Sequence, residues 1–139
     1  MPLDEFPAGR VIWQVEVVPN DQMRYDTPGD YFMRDGVCVV QVAEDLPAAM
    51  GEGTYPNEHF LIALHEMVEW YLMQKRGITE EEVSAFDVAY EAEAILTGHR
   101  PGEPGDQPDA PYRREHREAS LIEFQVALMA GFIDYGKME

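Results

Sequence analysis

The stretch from Phe60 to Met73 contains neither glycine nor proline and is largely apolar, and within it stand His65-Glu66-Met67-Val68-Glu69-Trp70. Such a run predicts a buried helix. Residues four apart on a helix share a face, with Cβ atoms roughly 5–6 Å apart. His65 and Glu69 therefore project together, close enough to hold one metal ion. Glu66 lies about 100° round the axis, where it can hold a water beside that ion. With His65 at zero, Glu69 falls at about 40°, Ile62 at about 60°, Leu72 at about -20° and Leu61 at about -40°. The pair shares its sector with aliphatic residues, so it faces protein rather than water. A carboxylate buried there needs a counter-charge. A metal ion supplies one, and so does an arginine or lysine. The plainest alternative is a buried His65–Glu69 hydrogen bond that only supports packing.

Either side of this helix the chain reads as short, well-punctuated elements. Residues 1–9 hold Pro2, Pro7 and Gly9 and predict an irregular arm. Val11 to Val18 is rich in β-branched residues and ends at Pro19-Asn20, the pattern of a strand. Tyr31 to Arg34 and Val37 to Val42 flank Asp35-Gly36, the preferred pair for a type I′ hairpin turn. Cys38 sits in the second of these strands as a small core residue. Residues 46–57 predict a loop. The first helix is expected from Asn57, as N-cap, to Arg76, with Gly77 just past its end. The second starts at Thr79, where Thr79 and Glu82 form a capping box. It carries Val83, Phe86, Tyr90 and Ala94 as its stripe and stops near Gly98. Gly98 to Pro111 holds four prolines and three glycines, too many for regular structure, and makes a long loop. The third helix is expected from Asp109 to Phe132, with Glu115, Ala119, Ile122, Val126, Met129 and Ile133 as its stripe. The fold class is α+β, one domain in which a small antiparallel sheet precedes three helices.

A catalytic zinc site takes three protein ligands and keeps one position open. Among the other histidines, His59 is poorly placed on the helical wheel and His99 falls in the long loop. His116 lies beside the stripe of the third helix, with Ala119 and Ser120 allowing close approach, and is the best third ligand. Glu115, on the stripe itself, is the alternative. Asp87 flanks the stripe of the second helix and is a candidate to orient a ligand histidine through a hydrogen bond. With Glu91 it also fits a solvated acidic edge. Trp13, Trp70, Tyr31 and Phe32 read as core, and Tyr112 as the lining of a cleft.

The formal net charge of -17 argues against nucleic-acid and anionic-membrane partners, which both need a positive surface. It suits cations or a basic protein partner. No apolar run approaches the roughly 18 residues that cross a bilayer. Met1-Pro2-Leu3-Asp4-Glu5 lacks the basic and apolar regions of a signal peptide. A single cysteine forms no internal disulfide, which fits a reducing cytoplasm. The number of copies per assembly is left open.

The strand, the hairpin and the helix with His65-Glu66-x-x-Glu69 together resemble a minimal zincin-type metallopeptidase core, with Glu69 in place of the second histidine of H-E-x-x-H. Glu80-Glu81-Glu82-Val83-x-Ala85-Phe86-Asp87 and Ala110-Pro111-Tyr112-x-x-Glu115-His116-x-x-Ala119 resemble small uncharacterised proteins of phages and bacteria. The zincin resemblance implies that His65 is a ligand and Glu66 the general base for a metal-bound water. It also implies that the strand Val37–Val42 is the edge that pairs with a peptide substrate. A carboxylate at position 69 neutralises more of the ion's charge and weakens its Lewis acidity. It also opens the site to manganese or iron beside zinc.

The leading expectation is a small cytoplasmic protein holding a divalent ion through His65, Glu69 and His116, with Glu66 near a bound water and a peptide or other amide as substrate. The rival is a non-enzymatic acidic accessory protein of phage or bacterial origin that binds a protein partner. A di-metal carboxylate site drawn from Glu58, Glu66, Glu69, Glu91, Glu115 and His65 is a third reading, weakened by the lack of paired Glu-x-x-His motifs.

Overall fold

A computed structural model describes residues 9–50, 56–97 and 104–135. Three strands, β1 (Trp13–Val18), β2 (Gly29–Arg34) and β3 (Val37–Ala43), precede four helices, α1 (Leu46–Met50), α2 (His59–Arg76), α3 (Glu80–Thr97) and α4 (Arg113–Met129). Short 3-10 turns occupy Asn20–Gln22 and Pro104–Asp106. The α+β class is as expected. The expected N-terminal arm, the end of the second helix at Gly98 and the first part of the long loop lie largely outside the described residues.

The sheet is mixed rather than antiparallel. Its order is β1-β3-β2, with β2 antiparallel to β3 and β1 parallel to it. The hairpin forms as its turn requires, with Asp35 at φ 53° and Gly36 at φ 78°. The segment 19–28 between β1 and β2 is too long for a tight turn. It carries the chain past β3, so β1 meets β3 running the same way. β3 thus lies between two partners, with both hydrogen-bonding edges used. This overturns the expectation that Val37–Val42 is an open edge for a peptide.

Paired residues in neighbouring strands point to one face. Cys38, Val40, Val42 and Tyr31 form such a face and join Leu61, Ile62 and Met73 of α2 in the core. The Tyr31 hydroxyl donates to the Met73 sulfur at 3.3 Å. Gly29 lets α2 come close, because a Cβ there would sit 2.6 Å from Ile62 Cγ2. Burial pushes the Cys38 thiol up to about 11, so it stays protonated.

The helix ends follow their local chemistry. Gly77 takes φ 72° at the end of α2, and its neighbour Ile78 donates to the Met73 carbonyl. Thr79 Oγ1 accepts from Glu82 N–H, while Glu82 accepts in return, so α3 has its capping box. Asn57 is not the cap of α2. Its side chain accepts from Leu46 N–H, and α2 begins at His59. The expected loop 46–57 contains α1.

α4 buries only part of the expected stripe, Glu115 and Ala119, with Val126 partly buried. Its buried residues are Glu115, His116, Ala119, Glu123 and Ala127, whereas Met129 and Ile133 are about four-fifths exposed. The two alanines are fully buried and let α4 lie close against α2, which brings polar side chains from both helices into contact. Arg76 fastens this junction, donating to Glu115 and Glu118 at 2.8 Å each. Among the described residues no helix is long and apolar enough to cross a membrane.

Candidate metal centre

Three ligand-type atoms meet between α2 and α4. His65 Nε2 and His116 Nδ1 each lie 3.0 Å from Glu69 Oε2 and 3.2 Å from one another. All three residues are buried, at 6%, 5% and 5% exposure for His65, Glu69 and His116. The i, i+4 spacing on α2 supplies two of them. Close packing of α4 supplies the third, so α4 does carry His116 to this face.

The outward nitrogens are also engaged. His65 Nδ1 lies 2.8 Å from Glu123 Oε1, and Glu123 accepts a short hydrogen bond from the Tyr135 hydroxyl through its other oxygen. His116 Nε2 lies 3.2 Å from Asp106 in the 3-10 turn. A carboxylate beside the far nitrogen of each imidazole favours the tautomer that carries its proton there. The near nitrogens then face the centre as lone pairs. In that tautomer two lone pairs and a carboxylate oxygen converge on one point, which suits a positive charge in their midst.

Two kinds of positive charge can serve. In the metal-free chain it is a proton. Burial alone would disfavour a charged His65, but its bonds to Glu123 and Glu69 raise its pKa well above the ordinary histidine value. Burial would likewise raise Glu69, yet the bonds from His116 and His65 outweigh it and hold its carboxyl at about 2. The other is a metal ion, and this cluster could hold one. Zinc bonded at about 2.0–2.1 Å holds tetrahedral ligand atoms roughly 3.3–3.4 Å apart. The observed separations need to open by only a few tenths of an ångström.

Comparison with known proteins finds no matching family model, no matching curated protein and no matching solved structure.

A pocket of about 60 Å³, room for a few waters, opens beside the cluster and is lined by Glu66, Glu69, His116, Asp87 and Tyr112 among others. Glu66 shares this pocket with two of the three cluster residues, Glu69 and His116. It lies against Gly29, with Oε1 2.8 Å from where a Cβ on that residue would sit. Asp30, at the same pocket, takes both Arg24 bonds at 3.0 Å. Gly105 is needed for a close approach on the other side, since a Cβ there would fall 2.5 Å from the His116 ring.

The remaining candidates are placed elsewhere. Glu115 is buried but turns to Arg76 rather than to the histidines. Asp87 accepts from the Tyr112 hydroxyl instead of orienting a ligand histidine, and burial pushes its carboxyl up to about 7. Tyr112 stands edge-on to His116 with ring centroids 6.4 Å apart. His59 donates to the Glu44 carbonyl at 2.8 Å, and Glu91 lines a different hollow beside Asn20–Asp26. The six residues of the di-metal reading therefore do not converge. His99 lies outside the described residues.

Sequence reasoning missed Glu123, Tyr135 and Asp106. For Glu123 a signal existed, because His116, Ala119, Glu123 and Ala127 follow one helical face at spacings of three, four and four. Nothing in the sequence ties Asp106 or Tyr135 to the histidines.

Proposed function

We propose that this protein binds one divalent metal ion, zinc first and manganese or iron as alternatives, through His65 Nε2, Glu69 and His116 Nδ1, and hydrolyses a peptide or related amide there. The observation that carries the reading is the convergence of three buried ligand atoms, with a carboxylate on the outward nitrogen of each histidine. Structural metal sites share that arrangement with catalytic ones. The pocket beside the cluster favours a catalytic site, because it reaches two of the ligands, Glu69 and His116, together with Glu66.

A divalent ion held there supplies Lewis acidity and lowers the pKa of bound water. The chain's own groups do the rest. Glu123 and Asp106 fix the orientation of the two imidazoles. Glu66, on the pocket side, accepts and returns a proton through its carboxylate. The aliphatic neighbours Leu61 and Ile62 keep bulk water from the inner side of the cluster. Glu69 in place of a histidine lowers the net charge of the loaded site, so we expect slower chemistry than a two-histidine helix would give. The zincin resemblance supports the roles of His65 and Glu66. It does not extend to β3 as a substrate edge. We place the protein in a reducing cytoplasm, the host's if phage-encoded, where Cys38 stays a thiol.

Elemental mass spectrometry of the purified chain beside His65→Ala and His116→Ala tests the site. About one ion per chain in the parent, lost in both variants, is expected. Glu66→Gln should keep the ion and lose amide hydrolysis. If the parent takes up no zinc, manganese or iron after reconstitution, the network is a proton-held packing device and the non-enzymatic partner-binding reading replaces this one.

A further inference from the structure

Among the described residues the outer edge of β1 has no neighbouring strand. Trp13, Val15 and Val17 alternate along one face of it and are 43%, 50% and 51% exposed. Their ladder partners Cys38, Val40 and Val42 are fully buried on that same face. α2 covers β3 and β2, while β1 overhangs the helix. Trp70 reaches the overhang, edge-on to Trp13 at 6.0 Å, and its buried indole N–H has no acceptor. Monomeric proteins blunt such edges with lysine, proline, a bulge or an inward charge. β1, Trp-Gln-Val-Glu-Val-Val, has no lysine or proline, and its one charge, Glu16, is tied to Arg34 and Gln41.

We propose that two copies of this chain join by antiparallel pairing of β1 with β1, merging their sheets into one across a two-fold axis. The strand is complementary to itself in a single register. Centred on Val15, the pairing sets Val15 opposite Val15, Trp13 opposite Val17, and Gln14 opposite Glu16. Apolar row meets apolar row, and an amide meets a carboxylate. A shift by two residues one way sets Glu16 opposite Glu16, a like-charge pair. The same shift the other way sets Glu16 opposite Ile12. A slip by one turns the apolar row against the polar one. This self-complementarity identifies the occupant as a second copy, since an isologous interface must match itself. The two overhangs then close on each other and cover Trp13, Val15 and Val17 from both sides. With -17 on each chain, association strengthens as salt screens the repulsion.

Sedimentation equilibrium of the full chain tests this. The expected result is a species of twice the 15.8 kDa chain mass at tens of micromolar, growing with salt. Val15→Lys should give a monomer with an unchanged circular dichroism spectrum, because Val15 is half exposed. Val15→Cys should form a disulfide-linked dimer under mild oxidation, while Val17→Cys, which faces Trp13 of the second copy, should not. Cys38 is buried and does not compete. A chain still monomeric at hundreds of micromolar in high salt overturns the proposal. So does a dimer that survives Val15→Lys but dissolves with Leu128→Lys on the outer face of α4.

Discussion

Glu123→Gln separates the charge of the Glu123 side chain from its shape. Glu123 is 1% exposed and touches two groups, His65 Nδ1 and the Tyr135 hydroxyl. A glutamine amide fills the same space. Its oxygen still accepts from His65, and the Tyr135 hydroxyl can turn to accept from its nitrogen. The fold should survive. What goes is the negative charge that makes His65 a stronger ligand. Losing a partner of this kind costs about 10–100-fold in metal affinity, or about 1.4–2.7 kcal/mol. The same charge also holds the proton of the metal-free His65, so its loss weakens proton competition and masks part of the deficit in acid. The full deficit should therefore appear near pH 8, in a chelator-competition titration with zinc. Glu123→Ala is a harsher change. It removes the acceptor that the buried His65 Nδ1 and Tyr135 hydroxyl share, at about 1–3 kcal/mol for each bond lost, and should destabilise the fold itself. A folded Glu123→Gln protein that binds zinc within twofold of the parent at pH 8 would refute the reasoning.

Without metal, the raised pKa of His65 contributes stability that is complete below its ordinary value of 6.5 and fades as pH rises through the folded value. The lowered pKa of Glu69 contributes above 4.5 and is lost as pH falls toward about 2. The metal-free Tm should therefore peak between these limits. The increment from added zinc should grow as pH rises, because the ion needs deprotonated imidazoles; a zinc increment independent of pH would exclude histidine ligation. Asp87→Asn should stabilise the protein above pH 7, by up to about 3 kcal/mol in urea titrations, since it removes a carboxyl that burial holds at about 7. No gain at pH 8 would mean that the wild-type carboxylate is well solvated. Gly105→Ala should displace the His116 ring and weaken metal binding at least tenfold while the far-ultraviolet dichroism stays unchanged. Parent-like affinity would show that the 3-10 turn yields instead.

The parts of the fold legible in the sequence are those set by local chemistry. Asp35-Gly36 had to turn, Thr79 and Glu82 had to cap, and a run free of glycine and proline had to be helical. The same locality exposed His65 and Glu69 as a pair on one buried face. Two decisions lay beyond it. β1 could have paired with β2 or β3, and only the path of residues 19–28 decides which. Beyond the shared Glu115 and Ala119, α4 offered an aliphatic side with Ile122 and Met129 and a side with His116, Glu123 and Ala127. Hydrophobic patterning favours the first, but the structure buries the second, because α2 presents polar groups that need partners more than they need apolar cover. His116 was legible as a candidate. Glu123, which aims His65, was legible only through the side of α4 that patterning rejects, and Asp106, which aims His116, lies in a turn that no periodicity ties to the helices.

The candidate ligands come from positions 65, 69 and 116, and they link segments of the chain about as far apart as a long-range disulfide would. This chain has only one cysteine and no such bridge. An ion at the junction would act as a cross-link that needs no oxidant, one that closes a long loop and takes its entropy cost from the unfolded state. It would also be a reversible link, opened by a chelator or by acid rather than by a reductant. The grip of α4 on the rest of the molecule would then follow the supply of metal around it.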